Sequence, residues 1–166
     1  MEYISSDTNV WIDFFSISKL ELPFRLPFTY IMYEGTVENE LIKPPDMGQM
    51  LISLGLESVD ISLEELMLAD QLSDRYRHPT DYDCVALSIA KTRGLVLLTG
   101  DGPLRKAAEQ EGVQVIGTIG ILDRLLDGEL ITINEYRECL IKLDELNGGV
   151  VRLPRNALRD RLAKSK

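Results

Sequence analysis

The chain has 166 residues, 45% of them hydrophobic, and a net charge of −9. That length suits one domain, and that apolar content excludes a disordered chain. No apolar run reaches the ~18 residues of a membrane span, and the acidic start MEYISSDTNVW lacks the basic flank and apolar stretch of a secretory signal, so a cytoplasmic protein with no membrane partner is expected.

In chain order, Tyr3–Ser6 reads as a first strand, and Asn9–Lys19 as a helix with Val10, Phe14 and Ile17 on one side. Phe28–Met32 is a second strand, set off by Pro23 and Pro27. Gly35–Ile42 reads as a helix stopped by Pro44 and Pro45, Asp46–Leu54 as a short helix, and Glu57–Ile61 as a third strand. Ser62, with Glu65 three residues on, forms a capping box for a helix running to Arg77. A further helix, Asp81–Arg93, closes at Gly94. Leu95–Thr99 has the continuous apolar character of a buried parallel strand. Pro103 opens the next helix, Gly112 ends it, and Val113–Ile116 is a fifth strand. Helices follow over Ile119–Leu126, Ile133–Leu146 and Pro154–Lys164. Strands alternating with helices imply parallel βαβ units, so the fold class is α/β, a three-layer α/β/α sandwich. One domain over 1–166 is expected, with 128–166 as a helical C-terminal extension.

Chemistry-bearing residues are few. Cys84 and Cys139 lack CxxC spacing, which speaks against zinc or a disulfide framework and for two small core residues. A multi-histidine metal site is impossible, because His78 is the only histidine; before Pro79, it reads as an exposed loop residue. The acids are more telling. Asp7 follows the first strand and Asp101 the fourth, and open α/β sheets place their sites at the carboxyl ends of such strands. Asp83 lies in the first turn of the helix that feeds the fourth strand, and Glu40 in the helix after the second. Carboxylates gathered in one crevice repel one another, and a divalent cation relieves that repulsion. Oxygen ligands suit Mg2+ or Mn2+, and such an ion activates water and neutralises a phosphate. Each acid also has a purely structural alternative: an Asx turn for Asp7, helix caps for Asp81, Asp83 and Asp101, a solvated face for Glu40.

These segments resemble a known family. SDTNVWIDF looks like the opening Asp-x-Asn motif of PIN domains, VENEL like their second motif, DYDCVALSIAKTRG like the third and LVLLTGD like the fourth. The likeness spans residues 3 to 127. It implies a five-stranded parallel sheet ordered 3-2-1-4-5 and metal-dependent hydrolysis of RNA phosphodiesters by an endoribonuclease. Asp7, Asp83 and Asp101 then hold the metal, Glu40 is a ligand or positions the attacking water, and Asn9 and Thr99 orient the acids. Small members are often VapC-type toxins, so an antitoxin and a homodimer are implied partners beside the RNA substrate. Two departures stand out. Gly102-Pro103-Leu104 occupies the place where many members carry a further acid, and Asp81 replaces a frequent serine.

Charge is uneven along the chain. Residues 148–166 hold Arg152, Arg155, Arg159, Arg161, Lys164 and Lys166 against Asp160, a net of +5, which leaves −14 on residues 1–147. Arg152, Arg155, Arg159 and Arg161 are therefore candidates for contact with RNA or a partner protein. Two alternatives compete with the nuclease: a catalytically silent PIN-like interaction module, and a receiver-type phosphoacceptor domain. The second needs a lysine after the fifth strand, where this chain has Gly117-Thr118-Ile119-Gly120.

Overall fold

The protein is described here by a computed structural model that covers residues 2–166. Five strands, β1 (Glu2–Ser6), β2 (Phe28–Tyr33), β3 (Glu57–Val59), β4 (Val96–Leu98) and β5 (Val115–Ile116), form one sheet in the order β3-β2-β1-β4-β5. Every pairing is parallel, with Ile4 opposite Tyr30 and Val96, and Ser5 opposite Ile31 and Leu97. This is the order that the resemblance implies.

Alternation along the strands assigns the two faces. Ile4, Tyr30, Met32, Leu98 and Ile116 pack into one cluster with α1 (Thr8–Ser16), α3 (Met47–Leu54), α7 (Thr118–Asp127), α8 (Ile133–Leu146) and α9 (Arg155–Lys164). Within it Trp11 stacks on Phe24 at 5.2 Å between centroids and meets Tyr30 edge-on at 5.1 Å. On the other face lie α4 (Leu63–Arg75), α5 (Asp81–Arg93) and α6 (Gly102–Gln110), clustered on Leu97 and Ile31. Ser5 faces α5 and donates to the Ala86 carbonyl at 2.8 Å, so a short side chain brings that helix close to the sheet. All residues from Cys84 to Ala90 are buried. The C-terminal helices share the first core, to which they contribute Cys139, Leu140, Leu143 and Leu158. No helix is long and apolar enough to cross a membrane among the described residues.

Local signals act where the sequence places them. Ser62 and Glu65 form the capping box of α4, and Gly94 closes α5 in the left-handed region at φ 68°. The 3-10 turn Leu22–Arg25 lies where the sequence shows only proline punctuation. Several elements are shorter than their patterns suggest. α1 ends at Ser16 because Ser18 turns to φ 59°. α4 ends at Arg75, with Tyr76 extended. α2 (Glu34–Asn39) stops one residue before Glu40, which caps it from outside the helix. Both cysteines are buried and unpaired, and His78 is exposed.

Candidate metal centre

The sheet order makes β1 and β4 neighbours, which brings the acids that follow them to one edge. The Asp7 backbone N–H donates to the Leu98 carbonyl at 2.9 Å and fixes the end of β1 against β4. Asp7 occupies the N-cap position of α1 without using its side chain to cap that helix. Its carboxyl turns elsewhere and accepts from Thr99 Oγ1 at 2.9 Å. Asp7 is only 3% exposed, and burial and then the charge of Asp83 push its pKa well above the aspartate range.

Asp83 reaches the centre from α5. Burial raises its pKa first, and the charge of Asp101 adds to the rise. Glu40, half-buried after α2, also has a raised pKa, through burial, against the effect of a 3.2 Å bond from Thr8 Oγ1 and with the charge of Asp83 adding to it. Asp7, Glu40, Asp83 and Asp101 therefore act on one another as a connected acidic group with Asp83 at its middle. None of the four forms an ion pair with a lysine or arginine among the described residues.

Hydrogen bonds from neighbouring residues surround the group. Thr99, completely buried, donates to Asp7 and accepts from the Asp101 backbone N–H at 3.1 Å. Asn9 Oδ1 accepts from Gly100 N–H at 2.9 Å, so α1 holds the loop that carries Asp101. Asp81 stands apart from the acidic group: its carboxylate accepts from Ser73 of α4 at 2.8 Å.

Two of the structural alternatives are also realised. Asp83 closes the capping box of α5, accepting from Thr80 N–H at 2.8 Å, and Asp101 caps α6 by accepting from Leu104 N–H at 3.0 Å. These caps leave a carboxylate oxygen on each side chain for other partners. No three His, Cys, Asp or Glu side chains are already set as a ligand group among the described residues. The donor set nevertheless suits a hard divalent cation: carboxylate oxygens, negative charge without a basic partner, and mutual repulsion that a cation would relieve.

Two residues here escape the sequence reading. Thr8 joins α1 to Glu40, and its one mark in the sequence is its place between Asp7 and Asn9. Asp13 is 5% exposed, accepts from Thr118 Oγ1 at 2.7 Å, and has its pKa raised to about 6 by burial. Its signal was an acid one helical turn from Asn9 in an otherwise apolar helix. The tail arginines divide. Arg152 and Arg161 line a cavity beside Gly100 and Gly102, whereas Arg155 and Arg159 are exposed outside that lining.

No curated protein and no solved structure matches the chain. A family model described as PIN domain matches residues 3–166. PIN domains are in general nucleases, and they typically use divalent metals. With nearly its full length covered and the parallel order 3-2-1-4-5 in place, the chain belongs to the PIN-domain family.

Proposed function

We propose that the protein is a Mg2+- or Mn2+-dependent endoribonuclease whose metal is held by Asp7, Asp83 and Asp101, with Glu40 as a further ligand or as the group that positions the attacking water. The observation that carries this reading is the placement of Asp7 and Asp101 after the paired strands β1 and β4, in an acidic group that forms no ion pair with a lysine or arginine among the described residues. A divalent ion in such a place supplies an activated water and neutralises charge on the phosphate. The chain's own residues do the rest. Thr99 holds Asp7 and, through the Asp101 backbone, sets the loop after β4. Thr8 orients the Glu40 carboxylate. Asp83 and Asp101 are each anchored by one oxygen at a helix N-terminus, which leaves the other oxygen for a ligand.

The same reading extends to a cytoplasmic, dimeric toxin restrained by an antitoxin. An inhibitor arginine among the four acids would suit the site, since a guanidinium pairs with two carboxylate oxygens and replaces the charge of the metal. The experiment for the nuclease is cleavage of RNA by the purified chain at several Mg2+ and Mn2+ concentrations. Cleavage is expected with either metal, to be abolished by a chelator and absent from Asp101→Asn at every concentration. Unimpaired cleavage by Asp101→Asn refutes the assignment. Normal growth of a bacterial host that contains active enzyme refutes the toxin role and leaves the nuclease standing.

A further inference from the structure

Next to the acidic group the surface opens into a cavity of about 680 Å3. Gly100 and Gly102, the residues on either side of Asp101, form one edge of it. Four arginines from separate parts of the chain line it: Arg105 of α6, Arg124 of α7, Arg152 ahead of α9, and Arg161 of α9. One acid, Asp123, is among them, and it is already bound by Arg161 at 3.1 Å and by Tyr136 Oη at 2.5 Å. Arg105 and Arg152 are exposed and have neither an ion pair nor a hydrogen bond among the described residues. Arg124 lies 5.5 Å over the Phe28 ring, likewise without an acid.

The position of Arg105 is built into the fold. Its Nη2 lies 2.9 Å from the point that a Cβ on residue 117 would occupy, so Gly117 makes room for the guanidinium. Gly117 is also the N-cap of α7 and supplies no capping side chain, so the positive end of that ten-residue helix opens beside the arginines. Ile119, Leu153 and Ala157 give the cavity an apolar side. Free guanidiniums, an uncapped helix start and an apolar wall in a space of this size suit a phosphate with a nucleoside attached.

We infer that this cavity seats a nucleotide of the RNA strand adjoining the bond cleaved at the acidic centre, with Arg105 and Arg152 on its phosphate. This rests on the nuclease reading, and it assigns to the α6–α7 side of the fold a role that the tail arginines alone cannot fill. The strand would pass from the arginines over the Asp101 loop to the acids, with adjacent phosphates met by fixed cations on one side and by a divalent ion on the other.

The test is binding of a fluorescent single-stranded RNA by the full-length Asp7→Asn protein in the absence of divalent metal, over a series of salt concentrations. Adding Arg105→Gln and Arg152→Gln, both at exposed positions, is expected to weaken binding at least tenfold. It should also flatten the dependence of log K on log salt by about 0.7 for each phosphate that is no longer neutralised. Arg155→Gln with Arg159→Gln, outside the cavity, should change affinity less than twofold. Equal affinity and slope after loss of Arg105 and Arg152 overturns the inference and leaves cleavage by the parent enzyme as a separate result. A protein that binds adenosine monophosphate through these arginines but neither binds nor cleaves RNA overturns the nuclease reading and this substrate with it. Stronger capture of a polyglutamate peptide than of RNA by the same two arginines overturns it in favour of an acidic protein partner.

Discussion

Asp7→Asn separates the cost of the acidic group to the fold from its use in chemistry. Asparagine has the shape of the protonated acid. It can accept from Thr99 through its carbonyl, and it carries no charge to set against that of Asp83. The parent must either take up a proton or hold two buried charges together. In the metal-free parent the folded state binds the Asp7 proton above pH 3.8, where the unfolded chain has released it. A raised acid pKa contributes stability that is complete below the unfolded value and is lost as pH rises towards the folded one. The variant lacks this loss. Its stability advantage should therefore grow with pH at up to about 1.4 kcal/mol per unit, the slope for one proton. Urea unfolding in chelator at pH 4, 5, 6 and 7 measures it. With Mg2+ at 100 times its Kd the parent should recover about 2.7 kcal/mol by mass action, while the variant should gain almost nothing. A variant that is no more stable than the parent across this pH series, or that gains as much from Mg2+, refutes the picture of a strained acidic pair relieved by metal.

Three more perturbations follow from the same geometry. Thr99→Val removes the bonds to Asp7 and to the Asp101 backbone with little change of shape, so it should cost about 1–3 kcal/mol and most of the RNA cleavage, with Thr99→Ser restoring both; retained activity in the valine variant would show that Thr99 orients nothing. Asp13, with its pKa raised to about 6, should make the parent lose about 3 kcal/mol between pH 4 and pH 7 relative to Asp13→Asn, as read from paired denaturation curves; parallel curves would contradict this. Glu111 moves the other way. It pays for burial but is held by Lys91 at 2.7 Å, by Tyr76 and by Arg75 at 2.7 Å, which take its pKa down to about 2. Its stabilisation is present above 4.5 and is lost as pH falls to about 2, so Glu111→Gln should lose up to about 3 kcal/mol at pH 6 and close to nothing at pH 2.

Much of the fold is legible because local signals and sheet physics agree. The apolar runs at Phe28–Tyr33 and Val96–Leu98 are strands buried on both faces, and Ser62 starts and Gly94 ends the helices they announce. Element ends are less legible, since tertiary contacts decide them. Tyr76 leaves the helical pattern to reach Glu111, thirty-five residues on in the sequence, and nothing near Tyr76 announces that partner. β3 and β5 shorten to three and two residues because a strand pairs only as far as its neighbour runs. The C-terminal helices read as an appendage, yet Leu140, Leu143 and Leu158 join the core of β1 and α1, a contact that periodicity alone cannot reveal.

The acids of the candidate site are legible from position, since Asp7 and Asp101 follow strands that become neighbours. What was invisible is the division of labour on each side chain. Asp83 and Asp101 were open to two readings, helix cap or site, and each does the first with one oxygen while keeping the other available. The two readings were never exclusive. Thr8 was missed because its use depends on where Glu40 comes to rest, and Glu40 rests just past α2 and not within it. Nothing local marks the other two arginines: Arg124 is a single base among acids, and Arg105 is half of a basic pair with Lys106 in an ordinary helix.

That last point also bears on the apparent conflict between a net charge of −9 and the nucleic-acid substrate proposed above. A summed charge says how a protein behaves at distances beyond the Debye length of about 10 Å, and a strand in a crevice is held well inside it. At that range arrangement matters. The fold brings the basic tail back onto α6 and α7, so that Arg152 and Arg161 stand with Arg105 and Arg124 along one cavity, and the acids stand just across the Asp101 loop. The acidic side is repulsive to a phosphate only while it lacks a cation, and the basic side is attractive throughout. A strand would therefore enter from the arginines and reach the acids only in the presence of the divalent ion, which makes metal a condition of productive binding as well as of chemistry. The excess negative charge elsewhere on the body would then repel nucleic acid from every other face and leave the cavity as the favoured place of entry.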